Sequence, residues 1–461
     1  MKAVLKAHGL QTSDRKAKQC VDKSLGRVIC DDYSDEQNRQ LSAIGVLDSA
    51  PYQEKYRLVT STLMGLSHVA RHVLSMRGDD LRGLKLPDLF LHEAPDCEGP
   101  QKCFVMVAAH DDSKADHDGT TYYSAAMRHA TDPVHCLLFH TALALFTFFC
   151  ILGAKPPEWR TKRVNDQVHR DFYSYHFLPG LAWGKINLRT FLSAECMYRH
   201  CRWTFENIKD KLNVRKAVHL CRGVSLRHAI ARGVSEQQAG RHGYYRAATV
   251  LDRCYLTDIA WEAVRNAARF PIRGGYYFLL RNLVQPPGAL VRMVFIVFLK
   301  SYYDLLEEPD FDENKDMDGA TVQFVRLCEH LAIVLCQDLA VLYEEMKGHP
   351  VFSKAPFNDD TYGFLTFREE LLQAMKDQGI NQIQMTAEAA KEAGDEKCAS
   401  FARELLGSVM TLLEQNGVGG GLGRPASTTR LVGTPVRQIS EMHQQICPPG
   451  AAAPPPRAPA A

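Results

Sequence analysis

Between Tyr56 and Met76 apolar side chains recur at Leu63, Leu66, Val69, Val73 and Leu74, a three-and-four spacing that predicts an amphipathic helix. The charged stretch "RGDDLRGLKLPDLFL" follows, and then the period shortens. "CFVMVAA" and "TTYYSAA" are β-prone runs on either side of the turn-rich "HDDSKADHDG", and together they predict an antiparallel hairpin. From Pro133 to Ala154 the run "PVHCLLFHTALALFTFFCILGA" is almost uniformly apolar. It contains His135 and His140 and follows a polar turn, so it reads as a buried core helix in preference to a membrane span. Helical segments are expected from there to about Lys300, including "VSLRHAIARGV". Two later stripes, Leu327, Leu331, Leu335, Leu339 and Leu342, then Phe401, Leu405, Val409 and Leu412, predict further amphipathic helices.

These patterns divide the chain into four parts. Residues 1–55 are a polar arm of weak periodicity, and residues 56–300 are the main domain. Residues 301–416 hold an acidic linker and a helical module whose faces suit a second copy or a protein partner. Residues 417–461 run from "GVGGGLGRPAS" to "CPPGAAAPPPRAPAA", too rich in Gly and Pro to pack a core, and are expected to be disordered. The fold class expected is mainly α with a small antiparallel β-sheet.

Composition adds a constraint on partners. With 461 residues, 46% apolar and 23% charged, the chain has the make-up of a soluble globular protein. Its formal charge of +2 is unevenly spread: Lys155 to Arg232 holds 16 Lys and Arg against 6 Asp and Glu, whereas Asp304 to Asp318 holds 8 acids and one Lys. A polyanion suits the first block; a solvated helical surface accounts for it equally. The 14 cysteines include no Cys-x-x-Cys pair, which points to a reducing compartment. "NKDMDG" begins like a calcium loop, but its twelfth position falls on Val325 where a bidentate Glu is required. No spacing of His and Cys meets the needs of a structural zinc site, and no metal or cofactor is expected.

One ordered set of residues carries chemistry. Breaking a DNA strand by tyrosine attack needs a phenol, cations forked onto phosphate oxygens, an imidazole near the proton transfers and an acid for the leaving sugar oxygen. Arginine suits the clamp, because its planar donors match phosphate oxygens two at a time. The chain offers Arg77 after the first helix, Lys114 in the hairpin turn, His219 and Arg222 at i and i+3, and Tyr255 beyond the following helix. Each has a plain structural alternative: Arg77 pairing with Asp79 or Asp80, Lys114 as a solvated turn lysine among acids, His219 as a core histidine, Tyr255 as a packed tyrosine.

In this order, and in the phrases "HLCRG", "GVSEQQ", "GRHG", "CYLT", "AAMRHATDPVHCLLFHTALALF" and "YFLLRNLVQPPGAL", the chain resembles the tyrosine recombinases. It is most similar to the Crypton-type recombinases and to the related second domain of the fungal centromere-binding kinetochore protein, over about Tyr56 to Lys300. The resemblance implies a tyrosine-recombinase-like catalytic domain, a nuclear location and double-stranded DNA as partner, with no membrane. It implies Arg77 and Arg222 as the phosphate clamp, His219 as the assisting imidazole, Lys114 as general acid and Tyr255 as nucleophile. Nine residues before the nucleophile, where most of these enzymes carry His or Trp, this chain has Arg246. His242 and Tyr245, 13 and 10 residues before it, are the substitutes if the loop is longer. Two functions follow: a recombinase working through a phosphotyrosyl link, or a catalytically silent DNA-binding scaffold. In either, Arg160, Lys162, Arg163, Arg199, Arg202, Lys209 and Lys211 are the expected phosphate contacts. They interleave with Trp159, Tyr173, Tyr175, Trp183 and Trp203, whose helical spacing suits a core better than base stacking.

Overall fold

A computed structural model describes residues 55–95, 97, 100–110, 122–164, 167–182, 185–199, 220–243, 259–272, 277–312 and 316–379, together with Arg39, Ser42, Ala43 and scattered positions between 383 and 416. Mainly helical architecture surrounds a small antiparallel sheet. Helix α1 (Lys55–Val73) is central: Leu63, Leu66, Val69 and Val73 are buried as the spacing demands, and so are polar Thr60, Ser67, His68 and Arg71 on its other faces. Arg71 Nε donates to the Ser67 carbonyl at 3.1 Å, and Cys221 Sγ lies 3.4 Å from His68 Nδ1. A short helix, α2 (Gly78–Gly83), leads into strand β1 (Leu89–Glu93).

The expected hairpin forms as β2 (Phe104–His110) and β3 (Tyr122–Met127), with Val105 opposite Met127 and Val107 opposite Ala125. Strand β1 adds to its edge, Leu91 opposite Met106, giving the sheet order β1-β2-β3. The apolar run contains helix α3 (Leu137–Phe146), every residue of which is buried in protein, and it continues as a π-turn over Thr147–Ile151. Among the described residues no helix is long and apolar enough to cross a membrane.

The expectation of helical segments from the apolar run to about Lys300 is corrected in part. Two hairpins intervene, β4 (Lys162–Val164) with β5 (Gln167–His169), and β6 (Pro179–Ala182) with β7 (Lys185–Phe191). In β7 the period is two: Ile186 and Leu188 turn inward while Lys185, Asn187 and Arg189 are exposed. Helices resume as α4 (Leu220–Ala231), α5 (Glu236–His242), α6 (Trp261–Ala267), α7 (Gly288–Val294) and α8 (Ile296–Leu306).

Beyond the acidic stretch, α9 (Gly319–Leu342) is the longest helix described, and α10 (Phe364–Ala374) packs against it. The leucine stripe of α9 is buried as expected, but Phe324, Cys328, Ala332, Val334 and Cys336 are buried too, and the helix lies against β1 and α3. The stripe is enclosed in the common core and so is not itself open to a second copy or another protein. The other expected stripe, Phe401 to Leu412, and the Gly/Pro tail lie outside the described residues.

A buried charge network fastens α9 to the rest. Asp338, fully buried, accepts from Arg128 Nη2 and from Arg281 Nε, each at 2.6 Å. Arg128 also donates to the Gln337 side chain, and Arg281 to the carbonyls of His129 and Ala130. One carboxylate is thus shared by two guanidiniums and balances one of their two charges; carbonyl groups take further donors, while Arg128 Nε and Asp338 Oδ2 are buried without a hydrogen-bond partner among the described residues. The arm is partly engaged as well: Arg39 pairs with Asp132 at 2.6 Å and Glu345 at 3.0 Å.

Candidate nucleic-acid interface

Arg77 owes its place to the way α1 ends. After Val73 the chain turns through Ser75, whose φ of +51° is left-handed; its Oγ lies 3.2 Å from Ser225 Oγ on α4, and Ser124 of β3 donates to the Leu74 carbonyl at 3.4 Å. Sheet, α1 and α4 therefore meet at one corner, with Arg77 at the N-cap of α2. Asp80, on the first turn of α2 and buried, feels both Arg77 and Arg222. Burial pushes its carboxyl up, while the two guanidiniums and a backbone hydrogen bond at Arg77 pull it down.

Arg222 lies on α4, and the sequence after that helix returns the chain to the same corner. Gly233, at φ +96°, ends α4 with Val234 N donating to the Ala229 carbonyl, a stop that a residue with a Cβ adopts only under strain. Ser235 then caps α5, accepting from Gln238 N, and its own N–H donates to Glu262 of α6 at 2.8 Å. Seven residues later His242 is buried at the end of α5 and hydrogen-bonded to the backbone of Val73. Burial pushes this imidazole down to about 4, and Arg222 pushes it further in the same direction, so it is neutral at pH 7. Its Nε2 is buried and has no hydrogen-bond partner among the described residues.

Of the six candidate catalytic residues, then, Arg77, Arg222 and His242 come together, from segments 145 and 20 positions apart in sequence. Lys114, His219 and Tyr255 lie outside the described residues, as do Tyr245 and Arg246. The sequence suggests Asp80 only as a plain partner for Arg77; in the structure it interacts with both arginines. Asp79, the other acid weighed there, pairs with Arg82 at 2.5 Å. Two guanidiniums around one carboxylate give the corner a cationic balance.

The basic block makes a different kind of surface. Arg160 pairs with Glu308, Lys162 with Glu158, and Arg199 with Glu195 at 2.6 Å, all with both side chains exposed. Arg189 grips Asp171 with Nη2 at 2.9 and 3.0 Å. The acidic stretch lies over part of this face: besides Glu308, Asp318 sits 3.6 Å from Arg170 and accepts from the Tyr173 hydroxyl at 3.0 Å. Such exposed pairs contribute about 0–1 kcal/mol each. Trp159 and Tyr175 are buried, Trp159 against Phe172 and Phe298, so these aromatics are core. The side chain of Arg163 and all of Arg202, Lys209, Lys211, Trp183 and Trp203 fall outside the described residues. Among the described residues no group of three or more His, Cys, Asp or Glu is arranged to hold a metal ion.

The model of one protein family, the centromere DNA-binding protein complex CBF3 subunit, domain 2, matches residues 6–363. The chain belongs to that family. No curated protein is a significant match. The CBF3-subunit match carries the centromere-binding side of the resemblance, and it runs past both boundaries drawn from the sequence, at 55/56 and at 300/301. Helix α9 falls inside the matched region, in keeping with its place in the shared core. A CBF3-subunit domain is a DNA-binding domain by description; cleavage and rejoining of strands are no part of that description.

Proposed function

We propose that the chain is a nuclear, centromere-type protein that holds double-stranded DNA by its phosphates. The supporting observation is the convergence of Arg77 and Arg222 beside His242 in a chain of a centromere DNA-binding family. The two guanidiniums supply the forked donors that phosphate oxygens match, and the neutral imidazole offers one ring nitrogen as a hydrogen-bonding group. The exposed cations of the β4–β7 hairpins extend the contact along the duplex, exchanging carboxylates for phosphates as they do so. Binding of the full chain to a labelled random-sequence duplex, followed by fluorescence anisotropy, tests this reading. Arg77→Gln with Arg222→Gln is expected to weaken it at least about tenfold; unchanged affinity in that variant would remove the corner from the interface.

A second reading, strand cleavage by Tyr255 with Lys114 and His219 assisting, is favoured by the same three residues sharing one site in the order that the tyrosine-recombinase resemblance implies. The phenol would attack the phosphorus and the 5′ sugar oxygen would leave with a proton, giving a phosphotyrosyl link. Covalent trapping on a nicked duplex is the test. An adduct with the natural chain that is missing in Tyr255→Phe supports cleavage, and no adduct at saturating DNA leaves the scaffold reading alone.

A further inference from the structure

Both ends of α2 are packed against the segment that follows β7. Beside the N-cap Arg77, Gly78 lies so close to Met197 that a Cβ there would meet the methionine methyl at 3.5 Å. At the other end Arg82 Nη1 donates to the Leu192 carbonyl at 3.2 Å, and the Arg82 guanidinium lies over the ring of Phe191, 5.7 Å from its centroid. Residues 191–199 therefore border the Arg77 corner along α2, a helix of six residues or about 9 Å.

That border carries the two most exposed Phe, Tyr or Trp rings among the described residues, Phe191 and Tyr198, each 52% exposed. Phe191 closes β7 on its outward face, at the alternate positions that also hold exposed Lys185, Asn187 and Arg189. It meets His176 edge-on, with centroids 5.8 Å apart, so Arg82 and His176 hold the ring while half of it faces water. Tyr198 belongs to the helical residues 194–199, which Ser193 caps by accepting from Cys196 N at 3.1 Å. Its neighbour Met197 is buried and anchors this turn, leaving Tyr198 and Arg199 outside.

A single exposed ring is ordinary on a soluble protein. Here two lie on one border of the corner, and their setting selects the occupant. Exposed Lys185, Arg189 and Arg199 share the segment with them, and the nearby acids Asp79, Asp171 and Glu195 are each paired with an arginine. An apolar protein surface would have to bury these charges. Duplex DNA brings phosphates for the cations and flat base faces for the rings.

We propose that Phe191 and Tyr198 are aromatic wedges that enter a groove of the bound duplex and stack at base steps, opening them. The inference rests on the DNA-binding reading and adds to it an apolar contact that reaches the bases. Phe191 is fixed from behind by Arg82, and Tyr198 through Met197, so little freedom is lost on insertion.

The test is titration of the full chain into a duplex with several 2-aminopurines spread along one strand, whose fluorescence rises on unstacking, with affinity followed over a salt series. The natural chain is expected to raise the fluorescence. Phe191→Ala and Tyr198→Ala are each expected to weaken binding at least about fivefold and to lessen the rise, with the slope of affinity against salt unchanged because no phosphate contact is removed. Phe191→Tyr, which keeps a ring, should behave like the natural chain. Binding without a fluorescence rise, or natural affinity in both alanine variants, would overturn the wedge and leave the DNA-binding reading standing. A natural chain that ignores duplex at low salt would remove both. Loss of self-association in the alanine variants, with DNA binding intact, would assign the rings to a second copy and overturn the wedge as well.

Discussion

Arg128 and Arg281 share Asp338 at 2.6 Å with side chains 3% exposed or less, whereas Arg160, Lys162 and Arg199 hold Glu308, Glu158 and Glu195 with every side chain at least 44% exposed. The same ion-pair chemistry does different work in these two regions. Inside, removing one partner strands a charge where water cannot reach it, so the network fixes the position of α9 and, through Arg281, the His129 carbonyl. Outside, water and salt replace either partner at little cost, which is what the proposed exchange of these carboxylates for phosphates requires. The Arg77 corner lies between these extremes: Asp80 is buried, while its two arginines are only half-covered.

Acid should expose the contrast most strongly. Burial pushes His68, His140, His242 and His330 down to about 3, 4, 4 and 3. The folded chain keeps them neutral where the unfolded chain takes up protons, below the ordinary value of 6.5. Their contribution to stability is therefore complete above pH 6.5 and is lost as pH falls from 6.5 toward about 4 for His140 and His242 and about 3 for His68 and His330, by roughly 1–2 kcal/mol per histidine at pH 5. Melting followed by circular dichroism at pH 7.5 and pH 5 should show a marked drop in Tm; a flat profile would mean that these rings are solvated.

Next in size is Asp338→Ala, expected to cost about 3–5 kcal/mol in denaturant unfolding because two guanidiniums lose their shared counter-charge. Glu308→Gln should change stability by no more than about 0.5 kcal/mol. Equal losses in the two variants would erase the distinction between the regions. Smallest is the effect of Glu308→Gln on DNA: with Arg160 released, duplex affinity at low salt should rise a few-fold, about 1 kcal/mol or less. A fall in affinity would show that Glu308 positions Arg160 for DNA and does not compete with it.

What the sequence revealed depended on how local the cause was. Helix α1, the β2–β3 hairpin and the buried run of α3 rest on periodicity within a short window, and each forms where expected. Strand β1, "LFLHE", is too short to show a period and owes its state to pairing with β2. In β7 the alternation of Ile186 and Leu188 was present but masked by the surrounding basic and aromatic residues. The enclosure of α9 was not legible, because what covers its outer faces comes from β1 and α3, over 170 residues earlier. Arg77, Arg222 and His242 could be named from motif order, since the stop at Gly233 and the cap at Ser235 are written locally. The place of Asp80 between two arginines, and that of Asp338 between Arg128 and Arg281, required the fold.

The most direct measurement is the salt dependence of duplex binding by the full chain, compared with the variant Arg160→Gln, Lys162→Gln, Arg199→Gln. Affinity should fall linearly on a log–log plot, and the triple variant should lose about 0.9 of slope for each of its three residues that meets a phosphate. Identical slopes, or binding by the natural chain that ignores salt, would contradict an interface built on exchangeable surface charge.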